Sequence, residues 1–241
     1  MSAITPFPTD AATDALAAAC AATRLQPYRV IHKGLRVLMG HTLQQAGATD
    51  VADPAQRAAL VDAVDTLLST CEDHLAHENR FLHEPLQARA ARAVRAFHDD
   101  HLEHLAQIAA LRRLLQQVRD AGPQAPALAY ELYLRLSQFI GENLAHMAEE
   151  ESTLTRALWA HFDDAELQAL IAALEGSLAP ADLAFYLGWI ALGANDAELA
   201  ELLGGMRAAA PAPVFEQTLA EVGTAIGAAR AARLQALLDA A

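Results

Sequence analysis

Two histidine–glutamate pairs constrain this chain more than any other feature of its sequence. His74 and Glu78 form one His-x-x-x-Glu pair, and His146 and Glu150 form a second. Both pairs lie in long stretches that are typical of helix, where residues four apart share one face, about 6 Å apart along the axis. On each helix an imidazole and a carboxylate can therefore converge on the same ion.

The register of both pairs places them on the buried face of a helix. Apolar residues repeat around each pair at steps of three and four, as they do on a core-facing helical stripe. The two stripes consist of Leu67, Cys71, His74, Glu78 and Phe81, and of Leu132, Leu136, Phe139, Asn143, His146, Glu150 and Leu154. Burial of an unpaired carboxylate costs on the order of several kcal/mol, so these groups need partners. A metal ion is the simplest partner for both types.

The composition favours an all-α, cytoplasmic protein. Of the 241 residues, 54% are hydrophobic and 5% aromatic, and alanine and leucine dominate, so helix propensity is high. The net charge of −13 argues against nucleic acid or an anionic membrane as a partner. We expect no secretory signal and no membrane span. Cys20 and Cys71 are the only cysteines, which argues against a disulfide framework.

The sequence predicts three regions. Residues 1–26 form an N-terminal arm, residues 27–161 an antiparallel four-helix bundle, and residues 162–241 a C-terminal helical extension of four shorter helices. Asp53 and Pro54 predict the start of the second bundle helix. The predicted bundle helices are residues 28–45, 54 to a break at 83–85, 87–120 and about 127–160.

Each predicted bundle helix carries one inward-facing histidine. In chain order these are His32, His74, His101 and His146. With Glu78 and Glu150 they suffice for two adjacent ions, bridged by the carboxylates and an oxygen from solvent, with one coordination position open. Imidazole and carboxylate suit iron, manganese or zinc, and we prefer iron. The Glu-x-x-His motif of ferritin-like di-iron proteins is absent from the sequence.

The order and register of these ligand types resemble those of the hemerythrin-like (HHE cation-binding) domain. The resemblance covers about residues 27–161. Supporting phrases are Tyr28-Arg-Val-Ile-His32-Lys-Gly, His77-Glu-Asn-Arg-Phe-Leu-His83-Glu-Pro85 and His146-Met-Ala-Glu-Glu-Glu151. The resemblance implies a non-haem di-iron centre that binds or reduces dioxygen, senses oxygen, iron or nitric oxide, or handles peroxide.

The third and fourth helices depart from the oxygen-carrying members of this family. Those members have two histidines four apart on the third helix, whereas here the histidines are three apart, so His101 is well placed and His104 is an alternative second ligand. On the fourth helix Glu150 or Glu151 could bridge, and Glu150 has the better spacing. Fewer imidazoles and an open position favour irreversible oxidation over oxygen carriage.

Several polar residues near these stripes are predicted to orient the ligands, to lie at the surface or to cap helices rather than to bind metal. Asp100 or Glu103 could orient His101, and Glu142 could orient His146. His77, which directly precedes Glu78, could likewise support a ligand without binding metal itself. The remaining off-stripe histidines are predicted to be exposed or to cap helices: His41, His77, His83 and His161.

The sequence leaves the activity open. A metal centre of this kind could serve an enzyme or a sensor, and the C-terminal extension could transmit its state or form a homodimer. The alternative is a helical protein-interaction scaffold whose metal site is structural or empty. Melting that does not depend on metal would favour the scaffold.

Overall fold

The computed structural model describes residues 24–122 and 124–240, and helix accounts for nearly all of them. The predicted all-α class is confirmed, and no strand occurs among the described residues. The helices are α1 (Arg29–Ala48), α2 (Pro54–Glu78), α3 (Glu84–Asp120), α4 (Ala125–Glu149), α5 (Thr155–His161), α6 (Asp164–Glu175), α7 (Pro180–Gly193), α8 (Asp196–Ala209), α9 (Ala212–Ile226) and α10 (Ala228–Ala240). Most of the predicted N-terminal arm, with Cys20, lies outside the described residues.

Two short π-helical segments interrupt this series. The first, π1 (Asn79–His83), joins α2 to α3, and the second, π2 (Glu150–Leu154), joins α4 to α5. A π-turn contains an extra residue, so it shifts the side chains that follow it relative to a regular α-helix. The two His-x-x-x-Glu pairs therefore both end at a change of helical register.

The chain divides into two compact units. Among the described residues, the first unit comprises residues 24–28, 50–122 and 124–174, and the second comprises residues 29–49 and 175–240. Helix α1 thus groups with the C-terminal helices, a division that differs from the predicted regions. This division reflects which residues contact one another. It does not test whether residues 1–26, 27–161 and 162–241 form separate domains, and those domains remain a prediction.

A local sequence signal explains the start of α2, and the position of Pro85 explains why the chain does not break where predicted. The Asp53 carboxylate accepts a hydrogen bond from the backbone N–H of Ala55 at 2.8 Å, as an N-cap residue does. The expected break at residues 83–85 is wrong, because Pro85 lies in the first turn of α3, where proline is tolerated. The backbone departs from helix instead at Ala90, with φ −149° and ψ 62°.

An apolar cluster holds the first unit together around the two π segments. Its members come from both π segments, from the first half of α3, from α5 and α6, and from the residues that precede α1 and α6: Tyr28, Leu82, Leu86, Val94, Phe97, Leu154, Leu158, Phe162 and Leu167. All are buried. Apolar side chains therefore surround the chain just beyond both glutamates of the paired motifs.

In the second unit, α1 packs closely against α7. A Cβ atom on Gly34 would lie 2.8 Å from the backbone nitrogen of Ile190, so only glycine permits this approach. Lys33 Nζ also contacts the Glu198 carboxylate at 2.6 Å, which ties α1 to α8. These contacts explain why α1 groups with residues 175–241.

Residues 162–240 contain five helices rather than the four predicted. The Gly204-Gly205 pair lies inside α8 and does not end a helix. Gly227, with a φ of 81°, separates α9 from α10 in a conformation that favours glycine. The extra helix arises at this glycine.

Within residues 24–122 and 124–240, no single helix has the length and hydropathy needed to span a membrane. Helices α6 and α7 meet that criterion only when they are taken together, and then by length and composition alone.

Candidate metal centre

The two predicted stripes are buried along nearly their whole length. On α2 Leu67, Cys71 and Glu78 are buried, and His74 is mostly so. On α4 and π2 every predicted stripe residue from Leu132 to Leu154 is buried. Both His-x-x-x-Glu pairs accordingly face the interior of the first unit.

Glu78 faces histidines from two helices. Its Oε1 atom lies 3.1 Å from Nε2 of His74 on α2, and its Oε2 atom lies 3.7 Å from Nε2 of His101 on α3. The residue is only 3% exposed. A carboxylate with its two oxygens directed at different imidazoles has the arrangement that a bridging ligand needs.

Glu150 is fully buried among three imidazoles. Its Oε1 atom lies 3.2 Å from Nε2 of His146 and 3.5 Å from Nε2 of both His101 and His83. Burial alone would raise the pKa of Glu150, but the three imidazoles outweigh burial and hold that pKa well below its ordinary value. The carboxylate is therefore ionised. Glu151, the alternative bridge, is half-buried.

His101 and His146 direct the same ring nitrogen at the centre. Nδ1 of His101 lies 2.9 Å from Oδ1 of Asn79, and Nδ1 of His146 lies 3.3 Å from Oδ2 of Asp100. Metal-binding histidines commonly have their second nitrogen held in this way. Both Nε2 atoms therefore point inward, toward each other and toward Glu150.

The partners that orient these rings differ from those expected. Asp100 contacts His146 rather than His101, and Glu103 is exposed. Glu142 accepts a hydrogen bond from Gln107 instead of contacting His146. Asn79 was not predicted, although its place directly after Glu78 was an available signal.

His83 is the main site residue that the sequence analysis missed. The predicted surface or capping role is wrong, because the residue is 2% exposed and its side chain makes no capping hydrogen bond among the described residues. Its ring stacks on that of His101, with centroids 4.8 Å apart and planes at 25°. One ligand atom each from His83, His101 and Glu150 lies within 4.8 Å of the others.

The cause of this error is the π1 segment. In a regular α-helix, position 83 lies about 140° around the axis from Glu78, away from the stripe that contains Glu78. The extra residue in the π-turn shifts the later positions around the helix axis. Helical periodicity of 3.6 residues, which the prediction assumed, cannot anticipate that shift.

His104 also lies beside the centre. It is buried, and its ring is perpendicular to that of His146 at a centroid distance of 5.0 Å. Burial, together with His146 and His101, lowers its pKa to about 4, so the imidazole is neutral at neutral pH. A neutral imidazole is the form that binds metal, which keeps His104 as an alternative ligand.

The remaining histidines are exposed, half-buried or, for His32, buried in the second unit. His41, His98 and His161 are exposed, and His77 is half-buried with its ring near that of Phe81. His32 is fully buried on α1, which belongs to the second unit, so its part in the centre remains a prediction.

Two further groups in the first unit bear on its chemistry. Burial, followed by the charges of Glu150 and Glu78, raises the pKa of Tyr28 well above its ordinary value, so the phenol retains its proton. Burial raises the pKa of the Cys71 thiol to about 12, which makes it an unreactive core residue.

Carboxylates and imidazoles gathered in one buried place define the class of this protein as a helical cation-binding protein. The family model described as the hemerythrin HHE cation binding domain matches residues 26–178, which is more than half of the chain. The chain therefore belongs to the hemerythrin HHE cation-binding family. Comparison with curated proteins and with solved structures gave no match.

Proposed function

We propose that this protein holds a pair of iron ions and uses them to bind, sense or reduce dioxygen or a related small oxidant such as nitric oxide or peroxide. The observation that carries the proposal is Glu78, whose two oxygens face His74 and His101 on different helices. Glu150 supplies a second carboxylate with its own group of imidazoles.

The donor set fits such a pair. His74 and Glu78 would hold one ion together with His32, and His101, His146 and Glu150 would hold the other, with Glu78 shared between them. Neutral imidazoles and carboxylates suit iron, while manganese and zinc accept the same donors. When bound, the iron pair supplies electrons to the oxidant.

The protein's own groups would prepare the site for that chemistry. Asn79 and Asp100 hold the Nδ1 atoms of two imidazoles, so their Nε2 atoms remain directed at the centre. Tyr28 retains a proton at its phenol oxygen near both carboxylates. The apolar cluster around Leu82, Phe97 and Leu154 excludes water from the same region.

A sensor and an oxidase place different demands on the second unit. In a sensor, the C-terminal helices would transmit the state of the metal or form a homodimer. Helix α1, which carries the predicted ligand His32, packs against α7 within this unit, so a displacement of α1 would pass to α7. An oxidase would need no such path.

The alternative is a helical interaction scaffold whose metal site is structural or empty. Thermal melting of the chelator-treated protein, before and after anaerobic addition of ferrous iron, tests the proposal. Binding to the folded state raises the melting temperature. We expect a rise in the wild type and none in His74→Ala. An identical melting temperature with and without iron in the wild type would favour the scaffold.

A further inference from the structure

His83 is a buried imidazole that the paired motifs do not explain. It lies at the end of π1, five residues after Glu78, and neither of its ring nitrogens makes a hydrogen bond of normal length to any described residue. A buried polar group without a partner costs on the order of 1–3 kcal/mol. A histidine that serves only the packing of a core would normally be hydrogen-bonded.

The second motif shows what a structural residue does at the corresponding place. Thr155 lies five residues after Glu150, and its hydroxyl donates a hydrogen bond of 2.9 Å to the backbone carbonyl of Glu150. The Thr155 side chain thus provides a hydrogen-bond donor for a backbone carbonyl of π2. His83 makes no such bond and reaches across to Glu150 on the opposite segment.

The surroundings of His83 consist of groups that bind cations. Its Nε2 atom lies 3.5 Å from Oε1 of Glu150, and its ring stacks on His101. The ring of Phe97 lies on another side, with centroids 6.3 Å apart and planes at 65°. One ligand atom from each of three groups therefore lies in a small space that is closed by an aromatic ring.

We propose that His83 is an additional metal ligand, through Nε2, of the ion that Glu150 and His101 hold. The inference rests on the proposed function and deepens it, because it extends the donor set beyond the two paired motifs. It also gives π1 a role. The wider turn brings His83 inward, where it serves the same ion as the opposite motif.

Cobalt(II) is a suitable probe, because its visible spectrum depends on the ligands it binds. The full-length protein would be stripped of metal and titrated anaerobically with cobalt, comparing the wild type with His83→Leu and His83→Cys. His98→Leu is the matched control, since His98 is an exposed histidine on α3. Melting of each metal-free variant reports on the fold, and His83→Gln replaces His83→Leu should the latter not fold.

We expect His83→Leu to bind the ion at least tenfold more weakly and to have an altered cobalt spectrum, while His98→Leu matches the wild type. In His83→Cys a thiolate-to-cobalt charge-transfer band should appear that the wild type, with Cys20 and Cys71, lacks. Wild-type affinity and spectrum in His83→Leu, or cobalt bound in His83→Cys without that band, would overturn the inference. Failure of the wild type itself to bind cobalt would instead contradict the proposed function.

Discussion

Nε2 of His101 lies 2.9 Å from Nε2 of His146, although the two residues come from different helices. The two rings can face each other because their Nδ1 atoms are held from behind by Asn79 and Asp100. This distance is that of a hydrogen bond between the two rings, and a cation that bound both nitrogens would replace that hydrogen bond. The arrangement thus already directs two donors at a single place.

We predict that Asn79→Ala lowers metal affinity by about 10-fold to 100-fold, because His101 loses the partner that fixes its ring. Anaerobic titration with ferrous iron or cobalt measures the change. Asp99→Ala is the control, since Asp99 is an exposed polar residue on α3. Equal affinities in Asn79→Ala and Asp99→Ala would show that Asn79 does not orient the ligand.

Neighbouring glutamates on π2 should respond differently to the same substitution. Glu150→Gln removes the charge that three imidazoles surround, so we expect loss of metal from the centre. Glu151→Gln removes the charge of the half-buried neighbour and should leave the metal content unchanged. Metal analysis after gel filtration distinguishes them. The reverse result would make Glu151 the bridging residue.

Acid should weaken one contact that ties α3 to α6 near the bend at Ala90. Arg89 donates hydrogen bonds to both carboxylate oxygens of Glu166, at 2.7 and 3.1 Å, and these bonds lower the pKa of Glu166 to about 2. A carboxylate with a lowered folded-state pKa stabilises the fold fully above its unfolded pKa, and that stability is lost as pH falls from about 4.5 toward 2.

Glu166→Gln should therefore reduce the denaturant midpoint at pH 7, and the difference from the wild type should shrink at pH 3. Urea unfolding of the metal-free protein at both pH values measures this. Glu103→Gln, at an exposed position on α3, is the control for a general loss of charge. A difference that stayed constant between the two pH values would argue against the Arg89–Glu166 contact.

Two glycines on α1 should have opposite effects when they are replaced by alanine. At Gly34 a Cβ would lie 2.8 Å from the backbone nitrogen of Ile190, whereas a Cβ at Gly40 would meet no atom within 4 Å beyond its chain neighbours and the backbone of its own helical turns. Gly40→Ala should stabilise the protein by about 0.5–1 kcal/mol through helix propensity, and Gly34→Ala should destabilise it. Urea unfolding compares the variants. Equal stabilisation by both substitutions would contradict the close packing of α1 on α7.

Periodicity was sufficient to predict much of the first unit. Steps of three and four residues identified the two stripes that face the interior, which contain His74, Glu78, His146 and Glu150. The periodicity was correct there because α2 and α4 are regular helices up to each glutamate. The N-cap at Asp53 followed from the same local chemistry. These features depend on residues close together in the sequence.

The features that sequence analysis missed depend on departures from that regularity or on distant contacts. The π1 segment rotates His83 into the interior, and the bend at Ala90 has no proline or glycine to mark it. The grouping of α1 with α7 depends on Gly34 meeting Ile190, which are far apart in the chain. Helical periodicity contains no information on either.

Metal content and the optical spectrum after anaerobic iron loading test the central claim most directly. We expect about two irons per chain in the wild type, and near-ultraviolet bands on admission of air that are lost in His74→Ala and Glu150→Ala but kept in His98→Ala. Absence of stoichiometric metal from a wild-type protein with intact helical structure would contradict the account.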